Sequence, residues 1–285
     1  MHKKIKGLLD LCRVSNLPTV LSNCIGSWLL AGGSVSELNL LLLVSGSALL
    51  YSGGMIMNDM FDVAFDSEFR PERPIPFGTI SIRAAGIITL LFIIAGMALM
   101  IVGNAHLFSV LSLIAVIGAY NVFHKKWSHS VYLMGACRSI LYLACASAVT
   151  GQITPMVVAW SVSLGLYTAG ITIVARGEST DSSFKLGGLV LLFSPILVPV
   201  YLKFNDLHLV GSFVSGALWL AWTVYSLRIL KGGTEGRVGR AVSYLIAGMV
   251  LIDGFAISSH FGWSGLFFLP LLPLIIWFQT KVSGT

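Results

Sequence analysis

The 285-residue chain is 56% hydrophobic and only 11% charged, with a mean hydropathy of +0.87. These values exclude a water-soluble globular domain of ordinary composition. They indicate an all-α membrane protein that crosses the bilayer several times, built as a single domain over residues 1–285.

Nine apolar runs come close to the roughly 20 residues that a helix needs to cross the hydrocarbon. They predict spans at Val14–Ala31, Leu38–Met57, Ile82–Val102, Leu107–Phe123, Tyr132–Thr150, Pro155–Val174, Leu186–Leu202, Leu209–Leu227 and Ala241–Ser259. A tenth run, Ser264–Gln279, is slightly short and contains two prolines. We expect nine transmembrane helices and leave the tenth open.

Basic residues predict the orientation of the bundle. Most of the 18 Lys and Arg residues lie in the amino-terminal arm and in the loops after the second, fourth, sixth and eighth spans, which all face one side. The positive-inside rule makes that side cytoplasmic. The net charge of +6 is therefore explained by topology, and no nucleic-acid partner is expected.

A charged stretch follows directly after the second span. Asn58, Asp59, Asp62 and Asp66 are three or four residues apart, so they share one face if the helix continues. Unpaired carboxylates at these offsets repel one another, and the arrangement predicts a bound cation. Oxygen ligands without His or Cys suit Mg²⁺. The four residues are the predicted metal ligands; a solvated acidic helix end is the plainer alternative.

A second polar loop is expected on the same side, after the sixth span. Spans one to four and five to eight form two pseudo-repeats, each with a charged loop after its second helix. In the second loop, Glu178 and Asp181 could form another metal face, and Arg176 is a candidate for binding phosphate. Two acidic loops could then converge on one substrate.

Two further cations lie near these loops. Lys125, at the end of span four, is either an interfacial anchor or a phosphate ligand. Arg138 lies about two turns inside span five, where a charge is costly, so it should face a polar cavity; we assign it to the diphosphate site. Asp253 is also intramembrane, and a hydrogen-bonded structural acid is at least as good an explanation for it as a site role.

Together, carboxylates for Mg²⁺, arginines for phosphate oxygens and an apolar bundle describe a receptor for a long-chain lipid diphosphate. Metal and cations would draw charge onto the leaving diphosphate, and the bundle would shield a carbocation from water.

The same residues resemble the first signature of the UbiA superfamily of intramembrane prenyltransferases. The match is Asn-Asp-x-x-Asp-x-x-x-Asp at residues 58–66, followed by Arg-Pro-x-Arg-Pro-Ile at residues 70–75. The resemblance implies a nine-helix bundle open to lipid and Mg²⁺-dependent transfer of a prenyl group from a polyprenyl diphosphate to a small-molecule acceptor, often aromatic. The carried-over roles are metal and diphosphate binding for Asn58, Asp59, Asp62 and Asp66, and phosphate binding for Arg70, Arg73 and Lys125.

Two more elements carry the resemblance. Tyr120 with Lys125 and Lys126 is similar to a Tyr-x-x-x-x-Lys-Arg element of the family, which adds Tyr120 to the predicted catalytic residues. Arg13 and Asn16 fall where the family has an Arg and a polar residue at the entry to its first helix, and are predicted to bind the acceptor.

One departure from the family pattern concerns the second loop. A carboxylate expected near Ala175 is absent, so the usual two-metal site is in doubt. The Arg-Gly-Glu sequence at residues 176–178 is similar to that of a bacterial UbiA-like branch called EboC, which implies the bacterial inner membrane. Acceptor identity, chain length and oligomeric state are left open.

Two other classes stay open from the sequence. A UbiA-like protein that has lost turnover would only bind or pass a lipid diphosphate, and the altered second loop favours it. A cation-coupled transporter would more often carry its acids inside broken helices near the midplane, whereas these acids lie at helix ends.

Overall fold

The computed structural model describes residues 2–180, 186–202, 207–232 and 236–282. Within these ranges the chain is helical and contains no strand. In chain order the helices are α1 His2–Leu11, α2 Leu17–Leu30, α3 Leu38–Phe61, α4 Val63–Phe69, α5 Ile82–Val102, α6 Leu107–Phe123, α7 Ser130–Thr150, α8 Pro155–Thr180, α9 Leu186–Leu192, α10 Leu197–Tyr201, α11 Leu209–Ile229, α12 Arg237–Ala247, α13 Met249–Phe261 and α14 Leu271–Gln279.

Six helical segments of the described chain are long and apolar enough to cross a membrane. They are Leu38–Phe61, Ile82–Val102, Ser130–Thr150, Pro155–Arg176, Leu209–Ile229 and Arg237–Phe268. The apolar helices α6 and α2 are shorter, with 17 and 14 residues. The all-α, multi-pass architecture predicted from hydropathy is therefore confirmed, whereas the count of nine stays a prediction.

Two predicted spans are broken rather than continuous. The seventh divides into α9 and α10 around a 3-10 turn, Ser194–Ile196, because Pro195 and Pro199 interrupt the helical hydrogen bonds. The ninth divides into α12 and α13 at Gly248. Hydropathy predicts that such runs are buried in lipid or protein, but it does not predict where they bend.

The last segment returns along the bundle. A 3-10 segment, Gly262–Phe268, packs beside α13, and α14 then packs against α12. At its end, Gln279 Nε2 donates hydrogen bonds to Asn16 Oδ1 at 3.2 Å and to the Ser243 carbonyl at 3.1 Å. The tenth run is therefore a broken segment that leads back to the middle of α12, at Ser243.

Helix α2 is central, since it packs against α3, α7 and α13. Helices α3 and α5 approach closely where Gly46 faces Gly96, because a Cβ at Gly46 would lie 2.8 Å from the Gly96 carbonyl oxygen. The other side of α5 exposes Ile87, Leu90 and Ile94. These apolar side chains form a surface suited to lipid.

The sequence is wrong about where the polar segment after span six begins. We expected a loop from Ala175, but α8 continues through Thr180. Glu178 therefore lies on a helix, although its side chain and the whole of Asp181 are outside the described residues.

Candidate active site

A cavity of about 870 Å³ opens between the helices at the end of the bundle that carries the charged loops. Its mouth is polar and its deeper wall is mostly apolar, with contributions from α1, the turn at residues 13–16 and α3 on one side and from α6–α8 and α12 on the other. The polar wall residues are Lys6, Asp10, Arg13, Asn16, Ser47, Tyr51, Asn58, Asp62, Arg70, Glu72, Arg73, Tyr120, Asn121, His124, Arg138, Thr168 and Thr172.

The four predicted metal ligands do not share one face. Helix α3 ends at Phe61, Asp62 caps it, and α4 begins at Val63. Asn58 and Asp62 line the cavity, whereas Asp59 and Asp66 are buried behind its wall. Because neighbouring positions on a helix differ by about 100° in direction, residues 58 and 59 point to different environments.

The buried carboxylates are held by arginines. Arg73 Nη1 lies 3.1 Å from Asp59 Oδ1 and 2.9 Å from Asp66 Oδ2, so one guanidinium group bridges both acids. Arg13 Nη2 donates a third hydrogen bond, 3.2 Å long, to Asp59 Oδ1. Arg13 and Arg73 also line the cavity, so their predicted roles in binding acceptor and diphosphate stay predictions.

Arg13 adopts an unusual backbone conformation. Its φ of 50° and ψ of 45° are left-handed, which is uncommon for a residue with a side chain. This turn separates α1 from the 3-10 segment Val14–Asn16 and leaves Arg13 only 9% exposed. In this conformation the guanidinium reaches Asp59.

Asp62 has different partners. His124 Nε2 lies 3.0 Å and Lys125 Nζ 2.7 Å from Asp62 Oδ1. Lys125 also sits over the Phe65 ring, 4.2 Å from its centroid, and is 42% exposed. A side chain this accessible is free to exchange its carboxylate partner for an incoming anion.

The pKa values of the two acids outside the spans move in opposite directions. Burial opposes ionisation of Asp62, but the hydrogen bonds and charges of His124 and Lys125 outweigh it and lower its pKa. Burial, together with repulsion from Asp59 and Asp62, raises the pKa of Asp66 despite its contact with Arg73. Asp62 is therefore the acid that most readily presents a negative charge to the cavity.

The remaining predicted residues occupy distinct places. Arg70 and Tyr120 line the cavity, and the Tyr120 ring lies 5.4 Å from that of His124. Arg176 donates hydrogen bonds to the carbonyls of Ser128 and His124 and to Ser130 Oγ, so it fastens α8 to the turn between α6 and α7. Asn16 lines the cavity and accepts the hydrogen bond from Gln279.

Arg138 faces the cavity, as its position in span five predicted. Its Nη1 donates to Asn23 Oδ1 at 2.8 Å, and its Nη2 donates to Thr19 Oγ1 at 3.0 Å. Asp253 is confirmed as a hydrogen-bonded acid between helices: its Oδ2 accepts from Ser22 Oγ at 2.6 Å and from Asn23 Nδ2 at 2.7 Å.

The donor set at the mouth suits a hard cation. Among the described residues, no group of three His, Cys, Asp or Glu side chains is arranged to hold a metal. Mg²⁺, however, commonly takes one or two carboxylates and completes its shell with substrate phosphates. Asn58 and Asp62 offer oxygen atoms at the cavity wall, and Asp66 Oδ1 is a buried carboxylate oxygen without a hydrogen-bond partner.

The sequence did not predict the hydrogen-bond partners of Asp62, Arg138 and Asp253. His124 lies within the stretch compared with the family element, but nothing in its spacing indicated a contact with Asp62. Ser22 and Asn23 are ordinary small polar residues of an apolar span. A signal was available for them, because two adjacent polar residues in span one and an acid in span nine each need a partner in lipid.

Comparison with known proteins assigns the class. Residues 18–183, which make up more than half of the chain, match the model of the UbiA prenyltransferase family. The chain belongs to this family, as the motif at residues 58–75 predicted.

The curated relatives carry the name digeranylgeranylglyceryl phosphate synthase. The chain is similar to that of Saccharolobus solfataricus, with 32% identity over 40% of each protein, and to that of Haloquadratum walsbyi, with 27% identity over 64% of this chain and 65% of the relative. For the Sulfurisphaera tokodaii protein, the identity is 26% over 41% of this chain and 42% of the relative. The chain thus spans about two fifths of the length of some relatives and just under two thirds of another.

Solved structures agree on the fold. A structure described as digeranylgeranylglyceryl phosphate synthase in membranes superposes with a TM-score of 0.66 at 20% identity, over 91% of this chain and 99% of that one. A UbiA homolog from Archaeoglobus fulgidus, bound to DMAPP and Mg²⁺, gives 0.52 at 16% identity over 96% of both chains. At these identities the likeness shows the fold.

Proposed function

We propose that this protein is a Mg²⁺-dependent prenyltransferase, which moves a prenyl group from a polyprenyl diphosphate to a small acceptor inside the membrane. The observation that carries the proposal is the cavity: one space joins a mouth rich in Asp, Arg and Lys to an apolar interior within a bundle of membrane-spanning helices. A lipid diphosphate has the same division into a charged head and an apolar tail.

The residues at the mouth would have different roles. Asn58 and Asp62 would hold Mg²⁺, and the ion would supply positive charge to the departing diphosphate. Asp59 and Asp66, which the sequence also predicted as ligands, would support this site through their contacts with Arg13 and Arg73. Arg70 lines the same opening, and Lys125 lies beside it in contact with Asp62. Both would donate hydrogen bonds to phosphate oxygens. The apolar wall, which includes Leu113 and Ile117, would keep water from the reacting carbon.

Two chemical classes of acceptor are candidates for this reaction. Relatives are named as synthases of digeranylgeranylglyceryl phosphate, whereas the family resemblance also implies aromatic acceptors. Both classes are therefore candidates for this chain. Orientation by the positive-inside rule would place the mouth on the cytoplasmic side, and the resemblance to a bacterial branch favours the bacterial inner membrane.

The test is a screen for product. Membranes containing the protein would be incubated with Mg²⁺, isotope-labelled prenyl diphosphates of several lengths, and two acceptor sets, phenols and glyceryl phosphates. We expect labelled product that depends on Mg²⁺ and disappears in Asp62→Ala. Glu68→Ala is the matched control, because Glu68 is an exposed acid on the neighbouring helix α4 and does not line the cavity.

The same screen separates the second candidate, a protein that binds or passes a lipid diphosphate without turnover. The observation that favours this candidate is the altered second acidic loop. Prenyl diphosphate that binds tightly, with no diphosphate released under any acceptor, would support this alternative and contradict the enzyme.

A further inference from the structure

Arg138 is a cation in the cavity wall that forms no ion pair with the described part of the chain. It is 8% exposed, and two of its N–H groups donate to neutral oxygens, those of Asn23 and Thr19. Its guanidinium carbon lies 5.5 Å from the centre of the Tyr51 ring. A guanidinium has five N–H donors, so this one retains donors for a ligand.

The side-chain amide of Asn23, on α2, fixes the position of Arg138. Asn23 accepts from Arg138 through Oδ1 and donates to Asp253 through Nδ2, so its orientation is set on both sides. Ser22 donates to the same Asp253 oxygen. Gly26 leaves room for that carboxylate, since an added Cβ would lie 3.3 Å from Asp253 Oδ1.

This arrangement keeps the two side chains apart. Asp253 reaches Arg138 only through the Asn23 amide, so it does not occupy the donors of the guanidinium. A direct ion pair would cancel the charge that faces the cavity. The relay through Asn23 lets helices α2, α7 and α13 hold a cation that is both oriented and open to a ligand.

Arg138 is also separate from the mouth. Tyr51, which Arg138 contacts, precedes Asn58 by seven residues on α3, which is about 10 Å of helix. Asp62 lies further still along the chain. A diphosphate bound at Asn58, Asp62 and Lys125 would therefore leave Arg138 to a different group.

We propose that Arg138 binds an anionic group, a carboxylate or a phosphate, on the acceptor, and that Asn23 and Asp253 are the positioning residues that present its guanidinium to the cavity. This inference rests on the proposed function, because it takes the ligand of Arg138 to be the acceptor of the prenyl group. It replaces the sequence prediction that Arg138 contacts the diphosphate. It makes Arg138 the residue that selects charged acceptors over neutral ones of the same shape.

Ligand binding to the purified full-length protein in detergent, measured by calorimetry, tests this without turnover. One arm compares a phenol that carries a carboxylate with the matching primary amide, and the other compares glyceryl phosphate with glycerol. In at least one arm, we expect the wild-type protein to bind the anion about tenfold or more tightly than its neutral partner, as a charge-assisted hydrogen bond should. The arm that shows the preference identifies the anion.

The variants locate that preference. Arg138→Gln should reduce it to about twofold or less, Arg138→Lys should keep part of it, and Asp253→Asn and Asn23→Leu should each reduce it about threefold. Affinity for a prenyl diphosphate should stay the same in all four. Arg228→Gln is the control, because Arg228 is exposed at the end of α11 and outside the cavity; thermal unfolding midpoints verify that each variant folds.

Three results would overturn the proposal. These are a wild-type protein with no anion preference in either arm, a preference that survives Arg138→Gln, and a loss of prenyl diphosphate affinity equal to the loss for the acceptor. An unchanged preference in both Asp253→Asn and Asn23→Leu would remove the positioning role. Failure of the proposed function would look different: no labelled product would form, whatever these affinities are.

Discussion

The acidic residues at the end of α3 divide into two groups with different surroundings. Asp59 and Asp66 are buried, and Arg73 bridges them. Asp62, between them in sequence, lies on the cavity wall, where His124 and an exposed Lys125 contact it. One short motif therefore supplies both a rigid, charge-neutral support and an adaptable ligand-facing acid.

Membership of the motif therefore does not by itself assign a role to an acid. A buried acid whose partners are arginines has its charge neutralised within the fold, and separating the pair is costly. An acid whose partner is an exposed lysine at an opening can change partners when a ligand arrives. The comparison predicts that variants on the two sides will fail in different ways.

The largest effect should come from the cavity side. Asp62→Ala removes the ionised acid at the wall, and we expect it to lower Mg²⁺-dependent prenyl transfer by about 100-fold or more while thermal stability stays near that of the wild type. Asp59→Ala should show the opposite order, with a clear loss of stability. Equal losses of stability and activity in both variants would erase the distinction between the two groups.

The next effect concerns the bridge itself. Arg73→Gln leaves two buried carboxylates without their common partner, so the free energy of unfolding in detergent should fall by about 3 kcal/mol. Arg70→Gln is the matched control: Arg70 belongs to the same motif and lines the cavity, but makes no ion pair among the described residues. If both variants unfold at the same denaturant concentration, the bridge contributes nothing to stability.

The smallest effect is expected at the exposed lysine. Lys125→Gln should weaken binding of a prenyl diphosphate by about fivefold, because one charge-assisted hydrogen bond to phosphate is lost at a partly solvated site. Lys126→Gln should leave the affinity unchanged, since Lys126 is also exposed but, unlike Lys125, forms no ion pair with Asp62. Equal effects from the two neighbours would return Lys125 to the role of an interfacial anchor.

Much of the fold could be predicted from hydropathy. The runs that became α5, α6, α7 and α11 have the predicted bounds to within about two residues, and α3 and α8 begin as predicted but extend further, because unbroken apolar sequence of this length has few alternatives in lipid. The breaks in the seventh and ninth runs were not predicted. Gly248 and the prolines near residue 195 allow a bend, but packing against other helices decides whether it forms.

In the candidate site, too, features set by spacing within one helix could be predicted, whereas contacts between distant residues could not. Offsets along one helix brought Asn58 and Asp62 to the correct end of α3, and insertion cost alone placed Arg138 at a cavity. The pairing of His124 with Asp62, and of Asn23 with both Arg138 and Asp253, joins residues far apart in sequence. Such pairs depend on how the helices are arranged, which spacing within one segment does not determine.

We propose that the Asp62 side of the cavity mouth binds Mg²⁺ together with a lipid diphosphate. The decisive experiment is equilibrium binding of an unreactive prenyl diphosphate analogue, with and without Mg²⁺, to the wild-type protein, Asp62→Ala and Glu68→Ala. We predict tight binding that requires Mg²⁺ in the wild type and in Glu68→Ala, and loss of that requirement and of most affinity in Asp62→Ala. Binding that ignores Mg²⁺, or that is the same in all three proteins, would contradict the account.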